Sequence, residues 1–383
     1  MQLRHLKNAL APGDQVSRVT AVTWSPNNRR LAAATSDRVV HLFDEHGERR
    51  DKFSTKPSQA NGPRNYAVTA LAWSPDSTKL AVGQSDCIVF VYKLGTEWGD
   101  KKSICNKFPA SSAVTTLAWP LEHHNDLVFG LAEGKVKVGQ LKTNKPASVY
   151  STDSYCVSSC TSPDGHTALI GHADGSVYRF TLDDGGAGPV AQQKILHHKS
   201  CPQALSWGAA IVVAGNDGVV MFYDEGGQVL QVFDYSHLSS SLDLTCAAFS
   251  PSGEAAVVAG FNKLHIFAFS GPRAMWEECN VMEIPGIYSV PSISWKKDGS
   301  RVAIGTLCGG VDIFDACMRR VRYASNAIGS DQKQFFEFTY VSASQVIVKR
   351  LSTGARTVLK SHYGLAILTI NVFRAQFLVP WKL

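Results

Sequence analysis

The sequence predicts an all-β fold: a ring of seven four-stranded blades, followed by the start of a second β domain. Three observations predict it. A two-part unit recurs: AVTWSPNNRRLAAAT at 21–35 is echoed by TALAWSPDSTKLAVG at 69–83, and SDRVVHLFD at 36–44 by SDCIVFVYK at 85–93. The unit keeps a period: Trp24 has equivalents at Trp73, Trp119, Thr161, Trp207, Phe249 and Trp295, at intervals of 49, 46, 42, 46, 42 and 46 residues. The third strands of the units, VVHLF, IVFVY, KVKVG, SVYRF, VVMFY, LHIFA and VDIFD, are in several cases apolar on both faces, as a strand sandwiched between neighbours must be. Such units cannot bury their apolar faces alone, and radial repetition into a β-propeller solves the problem.

Each element of the unit has a local cause. A polar turn follows most markers: Ser25-Pro26-Asn27, Ser74-Pro75-Asp76, Ser162-Pro163-Asp164-Gly165, Ser250-Pro251-Ser252-Gly253 and Lys297-Asp298-Gly299. Proline presets one dihedral there, and Asp, Asn or Gly closes the turn. A second turn joins the second strand to the third at Ser36-Asp37, Ser85-Asp86, Glu133-Gly134, Asp174-Gly175, Asp217-Gly218, Asn262-Lys263 and Gly309-Gly310. Its Asp and Asn side chains bond their own backbone, and glycine accepts a positive φ. The period is that of a WD40-type blade. The signature is incomplete, because no blade ends in Trp-Asp; Phe43-Asp44, Tyr223-Asp224 and Phe314-Asp315 come closest. Packing must therefore hold the blades, and Asp37, Asp86, Asp174 and Asp217 read as turn residues.

The rhythm changes after Asp315. The expected domains are a seven-bladed propeller at 1–323, a linker or loop at 324–334 (ASNAIGSDQKQ), and a partial second β domain, a truncated propeller, at 335–383. Residues 316–323 are expected to supply the outer strand of blade seven. EFTYV (337–341), QVIVKRL (345–351) and ARTVLK (355–360) read as three further strands, with STG at 352–354 as a turn. MQLRHLKN at the start has two readings: an outer or seam strand of the ring, or part of the second domain.

Composition narrows the function classes. The 383 residues are 44% hydrophobic and 18% charged, which suits many strands buried on both sides. The formal charge of +6 is mild. It permits acidic partners or lipid headgroups but lacks the dense basic stripe of a nucleic-acid binder. Nine cysteines, an odd number, several in strand-like context, read as buried thiols in a reducing compartment rather than a disulfide framework. MQLRHLKNAL has no long apolar core and does not read as a signal peptide.

Enzyme and metal motifs are absent or broken. GLAEGK at 130–135 lacks a spacer residue of the phosphate loop and carries Val136 where the metal-binding hydroxyl belongs. His197, His198 and Cys201, or Cys156 and Cys160, do not make a four-ligand zinc set. No catalytic residue, metal site or cofactor is expected.

Several strings are more distinctive than the repeat. They are DEHGERRDKFSTKP at 44–57, WGDKKSICNKF at 98–108, FGLAEGK at 129–135, DGSRVAIGTLCGGV at 298–311 and SQVIVKRLSTGARTVLKSHYG at 344–364. Across residues 1–364 the chain resembles the amino-terminal region of the intraflagellar transport 172 family, the large peripheral WD-repeat subunits of complex B in ciliary trains. Residues 365–383 match that family less well. The resemblance implies two tandem WD propellers ahead of a long helical region, a scaffold rather than a catalyst, and work in the cilium or flagellum, at its base and in the cytoplasm. It implies other complex B subunits as partners, above all one with a calponin-homology domain. The alternative is a coat-like module that binds phospholipid headgroups at a membrane surface.

For either partner, side chains near the second-to-third strand turns are the natural contacts. Arg38, Lys135, Lys137, Arg179 and Lys263 recur near equivalent blade positions and are candidates for a basic ring on one face. Arg49, Arg50 and Lys52, with Lys56 nearby, form a second basic cluster on an outer strand.

Overall fold

The computed structural model describes residues 1–12, 17–59, 65–182, 190–237, 243–270, 273–284, 286–317, 319–326, 333–361, 365–367, 370–373 and 376–378. The chain opens with β1 (Gln2–Leu10). Antiparallel four-stranded sheets follow in order. The first is β2 (Val19–Trp24), β3 (Arg30–Thr35), β4 (Val39–Asp44) and β5 (Arg49–Ser54). The second is β6 (Val68–Trp73), β7 (Lys79–Gln84), β8 (Ile88–Lys93) and β9 (Ser103–Pro109). The third is β10 (Val114–Ala118), β11 (Asp126–Leu131), β12 (Lys135–Gln140) and β13 (Lys145–Ser151). The fourth is β14 (Cys156–Thr161), β15 (Thr167–His172), β16 (Ser176–Thr181) and β17 (Val190–His197). The fifth is β18 (Ala204–Trp207), β19 (Ile211–Ala214), β20 (Val219–Tyr223) and β21 (Val229–Asp234). The sixth is β22 (Cys246–Phe249), β23 (Ala255–Ala259), β24 (Lys263–Ser270) and β25 (Met275–Glu283). The seventh joins β26 (Ser292–Trp295), β27 (Arg301–Gly305) and β28 (Val311–Cys317) to β1.

The first strands β2, β6, β10, β14, β18, β22 and β26 neighbour one another in that order, and β26 returns to β2, so the sheets form a closed all-β WD40 propeller. The marker residues end these inner strands, or follow directly in the case of Trp119. Hydroxyl side chains tie neighbouring inner strands: Val22 N–H donates to Ser292 Oγ at 2.9 Å, Phe249 N–H to Ser206 Oγ at 3.0 Å, and Thr69 Oγ1 to the Val114 carbonyl at 2.7 Å. The core lies between sheets. Ala34 and Leu42 of the first sheet pack with Leu80 and Phe90 of the second, and Phe222 of the fifth stacks on Trp276 of the sixth at 4.6 Å.

Both turn classes adopt the geometry their residues permit. In the marker turns, Ser25, Ser74, Ser162 and Ser250 Oγ accept the backbone N–H five residues on, at 2.9–3.1 Å. In the second-to-third strand turns, one residue of each sheet takes a positive φ: Arg38 at 68°, Cys87 at 65°, Gly134, Gly175, Gly218, Asn262 and Gly309. Two of these seven positions carry side chains that ordinarily avoid this region.

Two expectations are corrected. The outer strand of the seventh sheet is β1, paired from Gln2 opposite Cys317 to Leu10 opposite Val311 with register shifts after His5 and Asn8. Leu3 enters the core beside Trp295 and Phe314, which explains the choice: the free edge of β28 is covered by a strand that brings its own apolar anchor. Residues 319–323 instead belong to β29 (Arg319–Asn326), whose partner is β30 (Lys333–Tyr340), in an eighth sheet completed by β31 (Gln345–Arg350) and β32 (Arg356–Lys360). The expected linker at 324–334 is therefore strand at 324–326 and 333–334, while 327–332 lie outside the described residues. A short pair, β33 (Asn371–Phe373) and β34 (Gln376–Leu378), follows.

The eighth sheet rests on the marker-turn face of the ring. Ser344 Oγ donates to Glu254 Oε1 at 2.5 Å, Gln345 Nε2 to the Asp298 carbonyl at 3.0 Å, and Arg356 pairs with Glu45 at 3.5 Å.

The expectation that the cysteines are buried holds strictly only for Cys156; Cys105 and Cys279 are exposed and the other six half-buried.

Candidate interaction surfaces

The propeller has two faces and a rim. In an antiparallel meander the turns alternate sides, so the marker turns and the third-to-fourth strand turns share one face. The second-to-third strand turns lie on the other.

Arg38, Lys135 and Lys263 lie at second-to-third strand turns, in the first, third and sixth sheets, so they are spaced round the face rather than gathered. Each is partly engaged. The Arg38 guanidinium sits 5.7 Å from the Tyr66 ring, Lys135 pairs with Glu133 at 3.0 Å, and Lys263 pairs with Glu283 at 3.3 Å. Lys137 is further along β12, opposite Phe129 and Ser148. Arg179 belongs to the opposite face. Its guanidinium donates to Gln193 Oε1 at 3.0 Å and to the Glu225 carbonyl at 2.9 Å, beside the third-to-fourth strand turn of the fifth sheet. Sequence spacing placed it near its blade's second turn, but it is the fourth residue of β16.

The outer basic cluster lies on β5. Arg50 Nε donates to Asp44 Oδ2 at 2.7 Å, while Arg49 and Lys52 are exposed. Burial works to raise the Asp44 carboxyl, but backbone N–H groups and Arg50 outweigh it and hold it below its ordinary value.

One feature escaped the sequence reading. The fourth strand β21 is an edge strand, yet Val229, Leu230 and Val232 are 52%, 55% and 49% exposed. The Gln231 amide clips the adjacent sheet: its Nε2 donates to the Trp276 carbonyl at 2.7 Å, and Trp276 N–H donates to its Oε1 at 2.8 Å. That clip sets β21 beside β25, where Met275 and, on β24, Phe269 are also exposed. The result is an exposed apolar outer strand at the rim of the fifth sheet, the kind of surface a partner covers. Its signal was available: the fourth strand of the first sheet reads RRDKFS, whereas this one reads VLQVFD.

On the marker-turn face the channel mouth is a cavity of about 470 Å³, lined in part by Pro26, Pro163, Trp207 and Pro251. Beneath it a cavity of about 280 Å³ is lined by Trp24, Trp73, Trp119 and Trp207. The seventh sheet breaks the serine-proline pattern here with Lys296-Lys297. Lys296 is fully buried, 3.1 Å from Asp298 and 5.7 Å from the Trp24 ring, and burial lowers its ammonium pKa. Lys297 lies in the channel and lines both cavities. Among the described residues, no group of three or more His, Cys, Asp and Glu side chains is placed to hold a metal.

Comparison with known proteins accounts for the repeat and for the distinctive strings together. The WD domain, G-beta repeat family model matches residues 11–44 and 57–93, which hold the first three strands of each of the first two sheets. The chain is 51% identical over 382 residues to the intraflagellar transport protein 172 homolog of Danio rerio and 48% identical over 382 residues to that of Homo sapiens. It is 45% identical over 386 residues to intraflagellar transport protein 172 of Chlamydomonas reinhardtii. Each alignment covers 99% of this chain, so the likeness extends past residue 364, and 21% of the relative. The chain thus spans about a fifth of the length of these relatives. By these matches, the chain is similar over nearly its whole length to the amino-terminal region of proteins named intraflagellar transport protein 172.

Proposed function

We propose that this chain is a non-enzymatic protein-docking scaffold of the intraflagellar transport train, working in the cilium or flagellum, and that it seats the calponin-homology domain of another complex B subunit. The observation that carries the reading is the 45–51% identity, over 99% of the chain, to relatives named for intraflagellar transport. The geometry suits it. A closed ring holds its surface side chains with little freedom to lose on binding, which is what preorganised docking requires. The apolar rim around Leu230 supplies a desolvating centre, and the polar ends of the neighbouring strands supply a border. A stable complex would cover about 800 Å² on each partner.

Membrane docking is the weaker reading. Lys135 and Lys263 are paired with glutamates, and the outer cluster on β5 leaves Arg49 and Lys52 beside an Arg50 that is paired with Asp44, whereas headgroup binding draws on larger clusters of free charge. Size-exclusion chromatography of the chain with the calponin-homology domain tests the proposal. Co-elution that is lost in a Leu230→Glu, Val232→Glu variant supports rim docking. Separate elution of two folded proteins overturns it.

A further inference from the structure

We propose that the mouth of the central channel is a receptor for an acidic, partly apolar peptide segment, with Lys297 and Lys360 holding its carboxylates. This goes beyond the docking reading: the cavity lies on the ring axis, apart from the apolar rim, and its occupant is independent of what the rim takes.

Lys297 comes from the first turn of the seventh sheet and Lys360 from the end of β32 in the eighth, and both line the cavity of about 470 Å³. Among the described residues, no acidic side chain lines that cavity or the one beneath it. The contrast with neighbouring cations is direct. Lys296 has Asp298, and Arg356 has Glu45, whereas Lys297 and Lys360 have no acidic partner among the described residues. Two uncompensated ammonium groups in a walled concavity focus a positive potential on its interior. Lys297 is solvent-accessible, yet the surrounding protein and then Lys360 depress its ammonium pKa. An anion between them would relieve that repulsion.

The rest of the wall selects the kind of anion. Pro26, Leu121, Pro163, Trp207 and Pro251 give it apolar surface, and Thr161, Ser162, Ser250 and Ser252 give it polar surface of similar extent. Phosphate sites favour planar arginine forks or nests of backbone N–H groups, and this wall offers neither. A space of about 470 Å³ is larger than a small inorganic anion needs and accommodates a few side chains of an extended segment. Aliphatic side chains would pack on the proline and tryptophan surfaces while carboxylates meet the lysines. Because one lysine belongs to the ring and the other to the eighth sheet, the site is complete only when that sheet rests on the ring.

Fluorescence anisotropy tests this, with the 383-residue chain and a short labelled peptide of Glu, Leu and Gly. The same peptide with Gln in place of Glu is the control, and inorganic phosphate is the competitor. Saturable binding of the Glu peptide is expected, weakened about tenfold in the Gln peptide and about tenfold in each of Lys297→Gln and Lys360→Gln, the scale of losing one charge-assisted contact. Lys360 is exposed, so its variant keeps the fold, which an unchanged thermal midpoint verifies. Equal binding of the Glu and Gln peptides, or unchanged affinity in folded Lys360→Gln, would overturn the proposal. So would displacement by phosphate at concentrations comparable to the peptide's own Kd, which would make the mouth a small-anion site.

Discussion

The indole N–H of Trp295 donates to the backbone carbonyl of Ala248 at 3.0 Å, one sheet back round the ring. Trp73 repeats the bond onto Thr23, also at 3.0 Å, whereas the Trp24 indole nitrogen is buried without a partner. The marker tryptophans therefore differ in what they hold. Trp295→Phe loses volume and an inter-sheet bond, while Trp24→Phe loses volume and an unsatisfied donor. Urea unfolding is expected to place the Trp295 variant about 1 kcal/mol below the Trp24 variant. Equal losses would show that the bond contributes nothing to ring closure.

Cys87 occupies the left-handed turn position that glycine fills in four of the other sheets, at φ 65°. A β-carbon there costs about 1 kcal/mol. Cys87→Gly is expected to raise the unfolding free energy, read as a higher urea midpoint, by about that amount, less the extra freedom glycine gives the unfolded chain. A lower midpoint would mean that the side chain's packing outweighs the strain.

The ring is closed by β1, and Leu3 is the residue that anchors it, 4% exposed. Leu3→Ala is expected to cost about 2–4 kcal/mol. Hydrogen exchange should report loss of protection along β28, the strand that β1 covers, before loss elsewhere. Uniform loss across all sheets would contradict seam closure as a separable event.

His172 is fully buried and held neutral. Its Nδ1–H donates to the Ser154 carbonyl at 2.9 Å, and its Nε2 accepts from Tyr150 Oη at 2.9 Å. Burial lowers its pKa below the ordinary 6.5. The unfolded chain thus binds the proton more readily, so this group's stabilisation is complete above pH 6.5 and falls as pH drops from there towards the lowered folded value. The slope is at most about 1.4 kcal/mol per pH unit. His172→Asn should flatten the stability profile in that window. An unchanged slope would assign the pH dependence to other groups.

The repeat was legible because period-two burial and turn chemistry are local. Trp24, Ser25 and Pro26 announce the end of an inner strand without reference to anything distant. The seam was not legible: whether β1 or residues 316–323 covers β28 is a competition between two segments that both read as strand, decided by Leu3 reaching the core. The site residues fared similarly. Arg38, Lys135 and Lys263 were placed at their turns by spacing; Lys135 pairs with Glu133 of its own turn, but the pairing of Arg38 with Tyr66 and of Lys263 with Glu283 is tertiary or cross-strand. The apolar rim needed the contrast between VLQVFD and RRDKFS, which becomes informative only once both are known to be outer strands.

Calorimetric titration of the 383-residue chain with the calponin-homology domain of the proposed complex B partner, at low and high salt, tests the central claim most directly. Docking on the apolar rim predicts saturable binding whose affinity changes little with salt and whose heat-capacity change is negative, the signature of apolar burial. Absence of heat with a demonstrably folded chain would contradict docking by this region, and binding abolished by salt would move it from the rim to the basic side chains.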